Sequence, residues 1–194
     1  MRAFHVYSLK PSSTWYGREQ SNNTCSFLDF EILALILSAL SWRRHNGSIR
    51  LYTDDVCAAY FEARGLDALW DDGIDTQVLE AAQLKTNFSI FWAFARTIAL
   101  NHERSPCFMI DMDMIVWKPI SKLLCSDFMA IHSEPLDFGV YVPNEQLTTP
   151  ANYVWDDWDW TILPCNAALM YFGRDDLRHY CAVKGLEFMQ NNFV

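Results

Sequence analysis

The segment CFMIDMD, residues 107–113, decides the fold that we expect for this chain. Its first four residues are a continuous apolar run, which is typical of a central strand of a parallel sheet because such a strand is buried on both faces. Asp111 and Asp113 follow directly, so the predicted strand delivers two carboxylates at its carboxyl end. Unpaired charges buried there would cost several kcal/mol. We therefore expect a cation to neutralise them.

A divalent metal ion is the cation that this pair of carboxylates suits best. Mg²⁺ and Mn²⁺ take hard oxygen ligands and bridge carboxylates to phosphate oxygens, whereas zinc favours softer ligands that the pair does not supply. The sequence thus predicts a metal site at Asp111 and Asp113, with Mn²⁺ or Mg²⁺ as the cofactor. The alternative is that a strand-end aspartate simply caps a turn.

Helices and strands alternate on both sides of this segment. Strands are predicted at residues 3–9, 48–53, 107–110, 128–132, 139–142 and 167–172, and helices at 27–44, from about 54 to a stop at Gly65, at 89–102, and from 177 almost to the last residue. The pattern of residues 77–84 fits either a strand or a helix. The alternation predicts one domain over residues 1–194, an α/β sandwich with a mixed, mostly parallel central sheet flanked by helices. Ligands of such sheets lie outside the carboxyl ends of the strands.

The first predicted helix has a regular apolar pattern. Four large apolar residues recur at helical spacing and fall on one face: Phe30, Leu33, Leu37 and Leu40. Ser26 with Asp29 resembles a capping box, which would begin the helix.

The composition excludes some partners. With a net charge of −9 and a pI near 4.9, the chain lacks the cationic surface that nucleic acid or anionic lipid requires. The longest apolar run, Ile32–Leu37, is far shorter than the roughly 20 residues of a transmembrane helix. The first residues lead straight into a strand rather than a signal peptide. We expect a cytoplasmic protein without a transmembrane segment, and six cysteines that are buried, reduced thiols because they show no CxxC spacing.

A second unusual segment, YVWDDWDW, spans residues 153–160. Tryptophan faces suit sugar rings and carboxylates suit hydroxyl groups, so the segment is a candidate for the side of a cleft that binds an acceptor molecule through its hydroxyl groups. Asp157 or Asp159 would then be the catalytic base. The alternative is an aromatic-anchored loop at the edge of the sheet, with solvated acids.

Residues 85–96 and 107–120 together resemble the nucleotide-sugar-dependent glycosyltransferases of the GT-A fold. In these families a helix with a basic residue precedes a strand, the Asp-x-Asp motif, and a short apolar segment that ends in proline, here Pro119. The segment PCNAALMYF, residues 164–172, is similar to the asparagine-containing strand that lies beside the donor sugar in the retaining families eight and thirty-two.

The resemblance implies a GT-A-like, Rossmann-type sandwich that moves a sugar from a nucleoside-diphosphate sugar to a glycan, lipid or protein acceptor, in glycan or polysaccharide synthesis. Carried over by position, it implies metal and diphosphate binding by Asp111 and Asp113. It also implies a donor contact from Arg96 or Lys85, and a sugar contact from Asn166. Either basic residue has an ordinary alternative, Arg96 as a solvated or strand-capping helix cation and Lys85 as a solvated loop lysine.

One departure from the family concerns a third metal ligand, commonly a histidine in a later segment. This chain ends at Val194, and His132 and His179 lie outside the expected context. The chain is therefore expected to be a fragment, or to complete the metal shell with water or another group.

Two other functions stay open on the sequence. A phosphatase of the haloacid dehalogenase type also uses Asp-x-Asp, but normally after the first strand of its core. It also expects threonine or valine two residues after the second aspartate, where this chain has Ile115. The other alternative is a non-catalytic relative that binds nucleotide or sugar without turnover.

Overall fold

The computed structural model describes residues 1–9, 24–82, 86, 90–136, 147–150, 152–154, 159 and 161–192. Within them the strands are β1 Arg2–Val6, β2 Ile49–Tyr52, β3 Ile74–Asp75, β4 Cys107–Ile110, β5 Phe128–Ala130 and β6 Leu169–Phe172. The helices are α1 Asp29–His45, α2 Asp55–Glu62, α3 Gln77–Ala81, α4 Phe94–His102 and α5 Asp175–Asn191, with 3₁₀ turns at Asp67–Leu69 and Ser121–Leu123.

The strands form one sheet in the order β3-β2-β1-β4-β6-β5. The pairs β1–β2, β1–β4 and β2–β3 are parallel, and β4–β6 and β5–β6 are antiparallel. This confirms the predicted mixed, mostly parallel sheet flanked by helices. Because β1, β2 and β4 run in the same direction, their carboxyl ends meet at one edge, and the two predicted metal ligands follow β4 at that edge.

The central strand β4 is buried along its whole length, as its apolar run predicts. On one face Phe108 packs against Trp42 of α1, with 4.9 Å between ring centroids. On the other face Met109 belongs to a second cluster with Leu100 of α4 and Ala182 of α5. Helices therefore cover both faces of the sheet, and β4 lies between two cores.

Helix α1 differs from its prediction in its start, and the apolar row seen in the sequence is not its buried face. The N-cap residue is Leu28, whose backbone N–H donates to the Glu31 carboxylate at 2.7 Å, so the proposed cap at Ser26 is wrong. The residues that face the sheet are Leu35, Ser38, Ala39, Ser41 and Trp42. The regular apolar face from Phe30 to Leu40 is instead exposed.

Other elements have bounds that differ from the predicted ones by a few residues. Helix α2 has its N-cap at Asp54, whose side chain accepts from the Cys57 N–H at 2.9 Å, and Gly65 after it has a φ of 65°, as the predicted stop requires. Residues 77–81 form the short helix α3, and the two-residue strand β3 before it was not predicted. The strand predicted at 139–142 lies outside the described residues.

All six cysteines are free thiols, as expected from their spacing. Cys125 and Cys165 are exposed, however, so the prediction that the thiols are buried is wrong for these two. Across the described ranges, the helices are too short or too polar to cross a membrane.

Candidate functional site

The two predicted metal ligands lie in a tight turn directly after β4. The Met114 N–H donates to the Asp111 carbonyl at 3.0 Å, which closes the turn over residues 111–114. The Asp111 side chain is 33% exposed, and Asp113 is exposed at the tip. We call residues 111–114 the acidic turn. It places both carboxylates where a ligand from solvent can reach them.

Arg96 of α4 is the cationic partner of Asp111. Its Nη2 contacts Asp111 Oδ1 and also donates to the Ala167 carbonyl at 2.5 Å. The arginine side chain is only 12% exposed, so this ion pair is partly shielded from water. From the sequence, Arg96 is either a contact for the donor or an ordinary helix cation that is solvated or caps a strand. In the structure it connects the acidic turn to the segment before β6.

Burial dominates the electrostatics of this pair. It raises the pKa of the Asp111 carboxyl and Asp113 raises it further, whereas Arg96 opposes the shift. Burial likewise lowers the pKa of the Arg96 guanidinium, against the attraction of Asp111 and Asp113. The arginine thus offsets only part of the cost of burying Asp111. A second positive charge at the turn would be favourable.

The segment before β6 is hydrogen-bonded to the acidic turn. The Asp111 N–H donates to the Ala168 carbonyl at 2.8 Å. Asn166 shapes this segment, because its Oδ1 accepts from the Ala168 N–H at 2.9 Å and its Nδ2 donates to Glu134 Oε2 at 2.9 Å. The structure therefore brings together Asp111, Arg96 and the segment that carries Asn166.

Helix α1 holds the acidic turn and the chain after it from the opposite side. Ser38 Oγ donates to the Met114 carbonyl and Ser41 Oγ to the Val116 carbonyl, both at 2.6 Å. Asn46 accepts from the Ile120 N–H at 2.9 Å. The sequence prediction missed these residues. The available signal was the set of small polar residues on the buried side of an otherwise apolar helix.

A buried histidine supports Ser38. The Trp70 indole N–H donates to His5 Nδ1 at 3.2 Å, and His5 Nε2 lies 3.1 Å from Ser38 Oγ. Because an indole nitrogen can only donate, Nδ1 must accept, so the neutral ring carries its proton on Nε2 and donates to Ser38. Burial, with a smaller contribution from Arg96, lowers the pKa of His5 to about 3. His5 therefore stays neutral, and a chain of hydrogen bonds runs from Trp70 through His5 and Ser38 to the acidic turn.

The candidate acceptor side is described only in part. Asp159 is exposed and accepts from the Thr161 N–H at 2.9 Å and from the Thr161 hydroxyl at 2.6 Å. These hydrogen bonds lower the pKa of Asp159, which makes it a weaker base in this conformation. Asp157 and Lys85, also predicted as site residues, lie outside the described residues.

The two histidines considered as further ligands have other contacts. His179 Nδ1 lies 3.1 Å from Asn101 Oδ1, and the backbone carbonyl of His132 accepts from the Asn166 N–H at 2.9 Å. In the part of the chain that the structure describes, no group of three or more His, Cys, Asp or Glu side chains could hold a metal ion.

Comparison with known proteins gives a weak structural likeness. No protein-family model matches the chain, and no curated protein matches it. Among solved structures, the chain is similar to one named PaToxG Glycosyltransferase, with a TM-score of 0.44 and 10% sequence identity over 98% of this chain. The matched region is 65% of that chain's length. At this TM-score and identity, the likeness says nothing about the reaction that this chain performs.

Proposed function

We propose that this chain is a metal-dependent glycosyltransferase that moves a sugar from a nucleoside-diphosphate sugar to an acceptor hydroxyl. The observation that carries the proposal is the acidic turn, which follows the central strand and is held by Arg96 and by the segment of Asn166. The order of motifs along the sequence, which resembles the GT-A families, supports the same reaction. Glycan or polysaccharide synthesis and a cytoplasmic location belong to this proposal.

The acidic turn suits a metal that is shared with the substrate. Mg²⁺ is commonly held by one or two carboxylates together with substrate phosphates rather than by a complete set of protein ligands. Asp113 is exposed, and the contact of Asp111 with Arg96 uses one of its two carboxylate oxygens. These two residues would hold Mn²⁺ or Mg²⁺. When bound, the ion would neutralise charge on the departing diphosphate.

Residues of the chain would orient the donor around that position. The contacts of Arg96 with Asp111 and with the Ala167 carbonyl both use Nη2. Another N–H of the guanidinium would donate to a phosphate oxygen of the donor. One N–H of the Asn166 amide donates to Glu134, and the other would donate to a hydroxyl of the donor sugar. Lys85 is a second candidate for the donor contact.

The acceptor hydroxyl needs a position in line with the anomeric carbon and a group to take its proton. Asp157 and Asp159 remain the proposed bases. Asp159 would have to give up its hydrogen bonds with Thr161 before it could act in this way. An Asp159→Asn variant with unchanged donor binding but reduced transfer would support that role.

A non-catalytic nucleotide- or sugar-binding protein is the second candidate function. The observation that favours it is the Arg96–Asp111 ion pair, because a resident cation already neutralises part of the charge that a metal would bind. A haloacid-dehalogenase-type phosphatase has less support, since the Asp-x-Asp follows β4, and β4 pairs with the antiparallel strand β6.

A thermal-shift experiment tests the proposal. Nucleoside diphosphates and nucleotide sugars are added with and without Mn²⁺ to the wild type, to Asp113→Asn and to the control Asp127→Asn. Asp127 precedes β5 at the opposite edge of the sheet, so the control makes the same chemical change away from the site. A ligand at 100 times its Kd stabilises by about 2.7 kcal/mol. We therefore expect the melting temperature of the wild type and the control to rise by roughly 5–10 °C.

The outcomes separate the functions. If no nucleotide stabilises the wild type, or if Asp113→Asn responds as the control does, the proposed site is wrong. Stabilisation without transfer to any acceptor or to water indicates the non-catalytic alternative. Release of inorganic phosphate from a phosphomonoester, with no hydrolysis of nucleotide sugars, indicates the phosphatase.

A further inference from the structure

Helix α1 exposes a row of large apolar side chains, which we call the α1 stripe. The exposed fractions are 65% for Phe30, 61% for Leu33, 44% for Leu37 and 46% for Leu40. The residues are three, four and three positions apart, which is the spacing of the contact seam in a coiled coil. Single exposed leucines are ordinary, but a contiguous apolar patch of this kind marks a contact surface.

The helix cannot rotate to bury the stripe. Its other face already packs in the core through residues such as Leu35 and Trp42. Ser38 and Ser41 on that face hydrogen-bond to the carbonyls of Met114 and Val116. Turning the stripe inward would expose Trp42 and break both hydrogen bonds. The stripe is therefore fixed at the surface and is available to another molecule.

The charges at the two ends of α1 indicate which molecule fits. Asp29 in the first turn and Arg44 in the last turn are both exposed. If a second copy of α1 lies antiparallel across the stripe, each Asp29 comes within about one helical turn of an Arg44 of the other copy. The two helix dipoles then oppose each other favourably. A parallel arrangement would instead place like charges together.

We propose that the α1 stripe is the interface of a two-fold symmetric dimer of this chain, in which two α1 helices pack antiparallel. Phe30 of one copy faces Leu40 of the second copy, and Leu33 faces Leu37. Such an interface is self-complementary, as two-fold symmetry requires. This inference stands apart from the proposed function, because neither the stripe nor its end charges belong to the metal site.

The size of the patch sets the expected affinity. Four half-exposed side chains present on the order of 400 Å², within the range of a functional surface patch. A standard stable interface buries about 800 Å² on each partner, so residues beside the stripe must also contribute. We therefore expect a reversible dimer that dissociates on dilution into the low micromolar range.

Sedimentation velocity of the whole chain over a range of concentrations tests the dimer. The test variant is Leu33→Glu, and the matched control is Val183→Glu, since Val183 is 38% exposed and lies on α5, which packs on the opposite face of the sheet from α1. We expect the wild type and the control to form dimers and Leu33→Glu to remain a monomer. A wild type that is monomeric at every concentration, or a Leu33→Glu variant that still dimerises, would overturn the proposal.

A charge reversal tests the antiparallel arrangement. Asp29→Arg and Arg44→Asp should each weaken the dimer roughly three- to tenfold, because each breaks two symmetry-related ion pairs. The double variant should recover the wild-type dissociation constant and its sensitivity to salt. If the single variants do not weaken the dimer, or if the double variant is as weak as they are, the antiparallel packing is wrong.

Discussion

Replacing Ser38 by alanine should loosen the acidic turn without changing any residue of the site. The hydroxyl of this buried residue donates to the Met114 carbonyl at 2.6 Å and accepts from His5 Nε2 at 3.1 Å. Alanine removes both hydrogen bonds and strands the N–H of a fully buried histidine. Each buried group left without a partner costs about 1–3 kcal/mol, and the carbonyl of the part-buried Met114 lies at the low end of that range. The higher helix propensity of alanine stabilises the folded protein by about 0.5 kcal/mol.

The expected net loss of stability is about 2–3 kcal/mol, which corresponds to a melting temperature roughly 5–10 °C lower for a chain of this length. The matched control is Ser41→Ala, whose hydroxyl makes a hydrogen bond of the same length to Val116, further from the acidic turn. Because the control strands only one carbonyl, its expected loss is about 1 kcal/mol. Urea unfolding measures both losses.

Nucleotide binding separates a positioning role of Ser38 from a purely structural one. Isothermal titration with a nucleoside diphosphate and Mn²⁺, well below both melting temperatures, should show several-fold weaker binding for Ser38→Ala and near wild-type binding for Ser41→Ala. Equal losses of stability in the two variants, or equal affinities, would refute the reasoning that the chain of hydrogen bonds from Trp70 positions the acidic turn for ligand binding.

Two further predictions concern the Arg96–Asp111 pair. The raised pKa of Asp111 means that the metal-free folded protein keeps a proton that the unfolded chain has lost, so its stability falls as pH rises from the ordinary aspartate pKa to the raised one. A metal needs the ionised carboxylate, so the thermal shift that Mn²⁺ induces in the wild type should grow as pH rises over the same interval. In Asp111→Asn the thermal shift should not show this dependence on pH. Arg96→Met should destabilise the protein by about 1–3 kcal/mol, less than a fully buried pair would lose because Asp111 is partly exposed. Mn²⁺ should then stabilise Arg96→Met more than the wild type, and an equal response in thermal shift would show that no metal replaces the arginine.

The central strand could be predicted because its signal is local. Four consecutive apolar residues between Pro106 and Asp111 suit a short strand with two buried faces, and β4 has the predicted bounds. The direction of β6 was harder, because an apolar strand pattern reads the same in both directions. Strand β3, with two residues, is too short to leave a periodic signal at all.

The residues of the candidate site also differ in how far the sequence could predict them. Asp111 and Asp113 are adjacent in sequence and could be singled out together, whereas the contact of Arg96 with the Ala167 carbonyl joins residues 71 positions apart. The buried His5 gave no signal of its own, since its role depends on Trp70 from a distant 3₁₀ turn and on Ser38 from α1. Contacts of this kind exist only after the sheet and both helix layers have formed.

Helix α1 shows why periodicity alone cannot identify the buried face of a helix. The positions of Leu35, Ala39 and Trp42 are four and three apart, so they form an apolar row as regular as the one from Phe30 to Leu40. Hydrophobic burial alone therefore cannot decide between the two rows. The serines decide it, because Ser38 and Ser41 gain carbonyl partners only when their side of the helix faces the chain after β4. The polar groups that hold the acidic turn thus also leave the second apolar row at the surface, where a partner can cover it.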